Sequence, residues 1–302
     1  MDGNVTPDLW AQWLWHHRDG QNPARAAAVQ ADVLRQADRV IDAAALEPGM
    51  CLVDVGAGDG LVALRALARL GALRVILADV SAPLLHAADA AARAAGVQAQ
   101  CSFVRCDARD LVGVADGCAD ALTTRSAFAY VSHKAAALLA FHRVLKPGGR
   151  ISLAEPVFRD AALEVAALKL MTQRAGATEG GFAALLHRWK ATQFPDSEAQ
   201  IEANPLTNHS ERDLFRMAQA AGFEQVHLEL HLDMCVSEPM DWEIFLELSP
   251  HPLASPLGVV LAHRFNAAER AEFERVLRPQ IEAGGQPSTG RMVYLTARKP
   301  AG

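Results

Sequence analysis

The chain has 302 residues, of which 51% are hydrophobic and 21% are charged, and its formal net charge is −6. This composition is typical of a globular enzyme with one large domain, or a core domain with additions. The negative balance and the lack of long basic runs argue against nucleic acid or an anionic membrane as a partner. No apolar stretch is long enough to span a bilayer, and the first residues do not resemble a secretion signal. We therefore expect a cytoplasmic protein.

Its five cysteines form no CxxC pair, which predicts reduced thiols rather than disulfides or a zinc site.

Residues 1–47 predict a helical N-terminal cap. Thr6-Pro7 can begin a short first helix. Asn22-Pro23 can begin a second one, because Asn accepts from free amides and Pro is tolerated at the first helical position. The second helix must end at Glu47-Pro48-Gly49.

From residue 48 to residue 156, short apolar runs alternate with helical stretches. The predicted strands are Cys51–Val55, Arg74–Asp79, Cys101–Arg105, Asp120–Thr124 and Ile151–Ala154. The predicted helices are Leu61–Leu70, Ala82–Ala95 and His133–Leu145. Such alternation indicates a parallel sheet with helices on both faces.

The alternation ends after Pro156. Helical segments over about 160–191 and a polar stretch to Asn208 are followed by a helix that Ser210 caps, and these make residues 157–223 a helical lid insertion. Residues 224–302 complete the sheet with strands Glu224–Asp233 and Met292–Arg298, separated by a further insertion. We expect both insertions to build a lid rather than an independent domain.

A glycine-rich turn follows the first predicted strand. Glycines at 56, 58 and 60 let the backbone approach a ligand closely, which a Cβ atom would prevent. Leu61 stands where the dinucleotide fingerprint GxGxxG needs its third glycine. The turn is either a tight connection or a ligand loop, and as a ligand loop it favours a mononucleoside over a dinucleotide.

Two carboxylates follow the next two strands. Asp79 can accept from both hydroxyls of a ribose, and Asp107 can accept from an adenine amino group. Lys146-Pro147-Gly148-Gly149-Arg150 is a helix stop and turn that leads into the fifth strand. Each feature by itself is more often structural, but together and in this order they are specific.

With these motifs the chain resembles the class I S-adenosylmethionine-dependent methyltransferases, particularly the small-molecule branch that includes ubiquinone/menaquinone-type methyltransferases. The resemblance covers about residues 48–156 and is carried by Asp54–Gly60, Asp79, Asp107 and Phe141–Arg150. It implies an α/β fold with a Rossmann-like seven-stranded sheet, of order 3-2-1-4-5-7-6 with the last strand antiparallel. It also implies S-adenosylmethionine as cofactor, S-adenosylhomocysteine as product and no metal.

The resemblance further implies which residues bind the cofactor. The glycine turn would lie beside the methionine moiety and Asp54 near its amino group, while Asp79 would hold the ribose and Asp107 the adenine. The segment Arg125–Phe128 would border the reactive methyl group, and Arg125 could bind the cofactor carboxylate, the substrate or neither. The expected cofactor residues are Asp54, Gly56, Ala57, Gly58, Gly60, Asp79, Val80, Asp107, Ala108, Arg125 and Ser126.

Four aromatic or imidazole side chains are candidates for substrate binding. Trp10, Trp13 and His17 share one face of the first helix at i, i+3 and i+7 spacing. Such a stripe is either packing or a cap over an apolar, aromatic pocket. Phe128, after the fourth strand, is the fourth candidate.

Tyr130 and His133 are the candidate catalytic residues. Tyr130 can hydrogen-bond or stack with an acceptor, or it can serve packing. His133 can act as a general base, or it is a solvated residue in the first turn of a helix that Ser132 caps.

A row of polar residues, His227, Glu229, His231 and Asp233, faces one side of the strand that begins at Glu224. The row could hold a metal, but successive members lie about 7 Å apart. Polar rows of this kind also protect the edge strand of a sheet, and we predict no metal site.

Other methyltransferase classes lack their expected residues here. After the fourth strand, Thr123–Ser126 is not the Asn/Asp-Pro-Pro-Tyr motif of nucleic-acid amino methylation, and no Pro-Cys nucleophile is present. Glu155 is the only carboxylate at the ends of strands four and five, which disfavours a catechol-type metal site. Cys235 is the only thiol in the lid, which disfavours arsenite methylation.

The remaining prediction is methyl transfer to an O, N, C or S nucleophile of a small aromatic or apolar metabolite. The alternatives are a non-catalytic S-adenosylmethionine/S-adenosylhomocysteine-binding protein and, less favoured, an RNA or protein methyltransferase. The expected partner is the small-molecule acceptor, without nucleic acid or membrane, and a homodimer is possible.

Overall fold

The computed structural model describes residues 8–176 and 178–302. The strands are β1 (Cys51–Val55), β2 (Arg74–Asp79), β3 (Cys101–Arg105), β4 (Ala119–Arg125), β5 (Leu145–Pro156), β6 (Glu224–Val236) and β7 (Pro287–Arg298). The α-helices are α1 (Leu9–Gln12), α2 (Pro23–Ala44), α3 (Leu61–Leu70), α4 (Ala82–Ala94), α5 (Lys134–Val144), α6 (Arg159–Arg174), α7 (Phe182–Lys190), α8 (Glu198–Ala203), α9 (Glu211–Ala220), α10 (Trp242–Glu247), α11 (Leu257–Arg264) and α12 (Ala267–Ala283). In these residues, each helix is too short or too polar to cross a membrane.

The strands form one seven-stranded sheet in the order β3-β2-β1-β4-β5-β7-β6, which confirms the predicted topology. Strands β1 to β5 pair in parallel, and β7 runs antiparallel to β5. Parallel strands end at the same edge of a sheet, and Val55 at the end of β1 accordingly lies beside Ala78 of β2 and Thr124 of β4. The loops that follow these three strands therefore open at one edge.

Alternating side chains of the central strands bury two hydrophobic clusters. Val53 and Val55 belong to the cluster that includes Phe141 of α5. Leu52 belongs to the second cluster, which includes Ile41 of α2 and residues of α3. Strands buried on both faces explain why β1 is a nearly continuous apolar run.

The chain forms two compact units. The helical unit contains residues 8–30, 158–208 and 232–290, and the sheet unit contains residues 31–157, 209–231 and 291–302. The helical unit has its own hydrophobic cluster, which includes Trp189, Trp242 and Phe273. Most of the two predicted insertions thus belongs to one compact unit with a core of its own. Their expected role as a lid stays a prediction.

This division differs from the predicted domain bounds in two places. The predicted lid, residues 157–223, includes helix α9, whose Leu214 and Ala218 are buried in a cluster of the sheet unit. The predicted cap, residues 1–47, includes part of α2 whose Val40 packs in that unit as well. Amphipathic periodicity marks a buried helix face but does not say which core buries it.

Several element ends differ from the predicted ones. Strand β5 begins at Leu145 because its early residues pair with β4 across a register shift between Ala119 and Ala121, so the Lys146–Gly149 turn lies within the strand. Strands β6 and β7 extend beyond their predicted bounds, and the polar stretch before Asn208 contains α8.

The N-terminal helices begin and end for local reasons. Asn22 Oδ1 accepts from the Arg25 amide at 2.9 Å, as its predicted capping role requires. Helix α2 ends at Ala44 because Ala45 takes a left-handed conformation, with φ of 49°. Thr6-Pro7 lies outside the described residues, and Asp8 caps α1 by accepting from the Ala11 amide.

Helix α9 offers a direct test of a predicted cap. Ser210 Oγ accepts from the Asp213 amide and the Asp213 carboxylate accepts from the Ser210 amide, which is a capping box. We expect Ser210→Ala to lower the free energy of unfolding by about 1 kcal/mol, measured by urea denaturation with far-UV circular dichroism. Ser197→Ala is the matched control, since Ser197 precedes α8 without a side-chain capping bond. Equal losses in both variants would contradict the assigned role of Ser210.

Candidate cofactor-binding and active site

The turn between β1 and α3 requires glycine at position 56. Gly56 has φ of 67°, and a Cβ atom there would lie 2.1 Å from the Cβ of Ala127. Its amide donates to the carbonyl of Ala78 at 2.8 Å, which draws the turn towards the end of β2. This close approach of two chain segments is possible only without a side chain.

Gly58 has an open side instead. Its φ is 57°, and a Cβ atom there would meet nothing within 4 Å. Its amide donates to Asp79 Oδ2 at 2.8 Å, so the turn is fastened to the second carboxylate of the predicted site. Gly58 therefore leaves space above a backbone that is held in place.

Asp79 is buried at the end of β2 and organises two loops. One carboxylate oxygen accepts from Gly58, and the other accepts from the amide of Ser81 at 2.8 Å. A carboxylate has about four lone-pair sites, so both oxygens can also accept from ribose hydroxyls. Val80, the next residue, is exposed.

Asp54 is a buried carboxylate on β1, beside β4. Its Oδ1 accepts from Thr123 Oγ1 at 2.8 Å, while Oδ2 has no hydrogen-bond partner among the described residues. Burial raises the pKa of Asp54 to about 7, although Thr123 and the positive charge of Arg125 act to lower it. A buried carboxylate with an unsatisfied oxygen is stabilised by a nearby cation.

Asp107 lies in the turn after β3 and is exposed. Its carboxylate accepts from the Arg109 amide at 2.8 Å, and its carbonyl accepts from the Leu111 amide at 2.9 Å. These bonds fix the turn that contains Asp107 and the half-buried Ala108. The adenine contact expected of this turn stays a prediction.

A buried pair of threonines on β4 connects three strands, and its partners were not predicted. Thr123 bonds to Asp54 on β1, and Thr124 donates to Glu155 Oε1 on β5. Polar residues inside a buried strand require hydrogen-bond partners. The two adjacent threonines are therefore the feature of the sequence that could have indicated a role for Glu155.

Glu155 and Lys134 hold the segment that follows β4. Glu155 Oε2 accepts from the Ala129 amide at 3.0 Å, and burial raises the pKa of its carboxyl group. Lys134 is also buried, and its Nζ donates to the carbonyls of Ala129 and Val131, both at 2.9 Å. Burial lowers the pKa of Lys134 to about 8, against the opposite effect of Glu155. Two buried charges thus shape one short loop.

Arg125 and Ser126 begin this loop. Ser126 has φ of 52°, which is unfavourable for a residue with a side chain, and its amide donates to the Ala154 carbonyl at 2.8 Å. Arg125 is half-buried, and its charge acts on Asp54, Glu155 and Tyr130. The strained residue and the cation lie where the resemblance implies the reactive methyl group.

Phe128, Tyr130 and His133 have different surroundings. Phe128 is 1% exposed and packs against Phe141 in the core, and its expected contact with a substrate stays a prediction. Tyr130 is half-buried, and burial together with Glu155 raises the pKa of its hydroxyl well above the usual range. His133 is exposed and is itself the residue that precedes α5, with Ser132 Oγ at 2.9 Å from its Nδ1. Ser132 is therefore not the helix cap that the sequence suggested.

The aromatic residues before α2 lie in the helical unit. Trp13 Nε1 donates to the Ser249 carbonyl at 3.1 Å, and His17 Nδ1 lies 3.0 Å from the Glu247 carbonyl. Both residues line a cavity of about 510 Å³, whose lining does not include Trp10. Residues 13–17 form a π-helical turn, so the predicted α-helical face shared by these three residues is interrupted. Their contact with a substrate stays a prediction.

The polar row on β6 is anchored by a salt bridge between Glu229 and Arg39. Glu229 bonds to Arg39 at 2.6 Å and lies 3.4 Å from His227 and 3.3 Å from His231. Within residues 8–176 and 178–302, no group of three or more His, Cys, Asp or Glu residues is arranged to hold a metal ion.

The residues of the sheet unit fit S-adenosylmethionine. The Gly58 backbone offers an open cradle, Asp79 has acceptor capacity for a ribose, and Asp54 has an unsatisfied buried oxygen suited to an ammonium group. These three features lie at neighbouring strand ends, as the register of β1, β2 and β4 requires.

Comparison with known proteins places the chain among methyltransferases, as a matching family and three of its relatives illustrate. Residues 53–153 match a family described as a methyltransferase domain. The chain is 30% identical over 271 residues to nocamycin O-methyltransferase of Saccharothrix syringae, covering 88% of this chain and 91% of that protein. It is 32% identical over 116 residues to the ubiquinone/menaquinone biosynthesis C-methyltransferase UbiE of Idiomarina loihiensis, covering 38% of this chain and 46% of UbiE. It is 31% identical over 102 residues to the tRNA 5-carboxymethoxyuridine methyltransferase of Escherichia coli K12, covering 34% of this chain and only 38% of that enzyme.

Solved structures show the same fold. The YcgJ protein from Bacillus subtilis superposes with a TM-score of 0.57 at 18% identity, covering 89% of this chain and 99% of that protein. Identity this low supports a shared fold only, whereas nocamycin O-methyltransferase matches most of both chains in sequence.

The raised pKa of Asp54 predicts a pH-dependent affinity for a ligand with an ammonium group. Near pH 7 and below, a growing fraction of Asp54 is protonated, and the bound cation favours the ionised form. Affinity for S-adenosylhomocysteine should therefore fall below pH 7, by at most about tenfold for each pH unit, with proton release on binding. Calorimetry in buffers of different ionisation enthalpy measures both quantities. Asp54→Asn should remove the pH dependence, and an unchanged dependence in that variant would assign it to another group.

Proposed function

Because this chain belongs to the S-adenosylmethionine-dependent methyltransferases, we propose that it methylates a small aromatic or apolar metabolite. The acceptor atom is an O, N, C or S nucleophile, and the similarity to an O-methyltransferase over 88% of the chain favours oxygen. The observation that carries the proposal is the glycine turn fastened to Asp79, with an open side at Gly58.

The proposed reaction requires alignment more than acid–base chemistry. When bound, S-adenosylmethionine supplies a methyl group on a positively charged sulfur atom. In-line attack on such a methyl group is accelerated when the protein holds the two reactants in the geometry of attack and excludes water. Asp79 and Gly58 would orient the nucleoside end, while Asp54 would hold the amino group of the methionine end.

The loop after β4 would hold the acceptor. Lys134 and Glu155 fix its backbone through Ala129. Tyr130 would act as a hydrogen-bond donor to the acceptor rather than as a base, since its raised pKa keeps the hydroxyl protonated. His133 is the candidate that could take up a proton, because imidazole is the side-chain type that exchanges protons near neutral pH.

Transfer of a labelled methyl group tests this function. The full chain is incubated with S-adenosylmethionine carrying a tritiated methyl group and with separate panels of hydroxylated aromatic and apolar metabolites, bulk tRNA, and proteins. We expect label in at least one small molecule, and a rate at least tenfold lower in Asp79→Ala at limiting cofactor because ribose acceptors are lost, about 1.4 kcal/mol. Asp32→Ala is the matched control, since Asp32 lies exposed on α2 and bonds to Arg35.

Three results distinguish the alternatives. Label in tRNA or protein with none in small molecules would contradict the proposed acceptor class and support a macromolecular substrate. Binding of S-adenosylhomocysteine without transfer to any panel would support a non-catalytic binding protein. Equal rates in Asp79→Ala and Asp32→Ala would contradict the role of Asp79.

A further inference from the structure

Strand β6 ends the sheet, and no strand lies on its outer side among the described residues. Residues 232–236 are exposed on both faces of the strand. An edge strand presents a row of backbone N–H and C=O groups that can pair with another strand. This edge is long, since β6 extends from Glu224 to Val236, and the average strand has only about six residues.

One face of β6 is an exposed apolar row. Leu230 is 39% exposed, Leu232 58%, Met234 80% and Val236 67%. Alternate residues of a strand point to the same face, so these four side chains form one stripe. Proteins usually protect an edge strand with charge, a bulge or a cover, and an apolar stripe on an edge marks a contact surface.

The opposite face has a row of polar residues that can pair with the same row running in the opposite direction. Its residues read His227, Glu229, His231, Asp233, which alternate basic and acidic groups. If a second copy of the strand runs antiparallel with Leu230 at the two-fold axis, residue 227 faces residue 233 and residue 229 faces residue 231. Every pair then joins an imidazole and a carboxylate.

Neighbouring registers lose this complementarity. With the axis at residue 229, Glu229 would face Glu229 of the partner subunit, and with the axis at residue 231 it would face Asp233 of the partner subunit. Facing like charges destabilise a strand pair. With the axis at residue 228 or 232, part of the row has no complementary partner. The apolar face is compatible with this register, since Leu228 would face Leu232 of the partner subunit and Leu230 would face Leu230 of the partner subunit, but the polar row is what selects it.

We propose that this protein forms a homodimer in which β6 pairs antiparallel with β6 of a second copy, with the two-fold axis at Leu230. The pairing would join two seven-stranded sheets into one continuous sheet. Arg39, already bonded to Glu229, would lie at the edge of the paired charge row. A second copy is the occupant that the charge row selects, because the row is complementary to itself. The proposal does not depend on the proposed methyl transfer.

Disulfide trapping tests the register. The full chain carries Cys235→Ser, which removes an exposed thiol, together with either Leu230→Cys or Leu232→Cys. Facing residues of an antiparallel pair have Cα atoms about 4.5–5.5 Å apart, within disulfide range. Leu230→Cys should therefore form a covalent dimer under mild oxidation. In Leu232→Cys, the two thiols are displaced by four residues, about 13 Å, so this more exposed position is the matched control and should stay uncrosslinked.

Charge exchange tests the pairing by a second route. Asp233→Arg and His227→Asp should each weaken the dimer at least tenfold in sedimentation velocity across the micromolar range, and the double variant should restore it. Residues 227 and 233 are about 20 Å apart within one strand, so restoration requires contact between copies. Unchanged circular dichroism spectra show that each variant is folded.

A monomer throughout the micromolar range would overturn the proposal and would leave the edge to a different partner chain. Crosslinking of Leu232→Cys without Leu230→Cys would overturn it as well, as would a double variant no stronger than the single ones. A dimer with the expected crosslink and restoration would establish it.

Discussion

The hydrogen bond from the Gly58 amide to the Asp79 carboxylate, at 2.8 Å, is the contact on which the candidate site depends. It joins the turn after β1 to the end of β2, and it exists because these strands are parallel neighbours. Gly56 allows the turn to approach Ala127 after β4. The sheet order thus converts three separate sequence motifs into one site at neighbouring strand ends.

Buried charges organise the other half of the site. Asp54 and Glu155 are both nearly inaccessible, and two adjacent threonines of β4 bond to them on either side. Burial of carboxylates is costly unless hydrogen bonds and nearby cations offset it. Arg125 and Lys134 supply positive charge, and the bonds from Glu155 and Lys134 fix the loop that carries Tyr130. We interpret this arrangement as a rigid support for the ligands rather than as a source of stability.

Much of the fold could be predicted because its signals are local. Strands β1, β2 and β3 and helix α3 have their predicted bounds, since a short apolar run between turn residues marks a buried strand.

Less of the site could be predicted, because contacts between residues that are distant in the sequence determine where its side chains lie. The sequence indicates Glu155 only as a single carboxylate, because its hydrogen bond with Thr124 becomes visible only once β4 and β5 are paired. The position of Phe128 after the fourth strand predicts a place beside the substrate, and the sequence does not reveal that its ring packs against Phe141 in the core. The spacing of Trp10 and Trp13 predicts one α-helical face, and a π-helical turn interrupts that face.

Binding of S-adenosylmethionine along the Gly58 backbone is the property on which the proposed function depends. It can be measured by calorimetric titration of the wild type, Gly58→Ala and Gly117→Ala with S-adenosylhomocysteine. Both glycines have φ near 57° and open space around a Cβ atom, so both substitutions carry the same backbone strain. We predict micromolar binding that is lost in Gly58→Ala and kept in Gly117→Ala. No binding by the folded wild type, or equal affinity in Gly58→Ala, would contradict it.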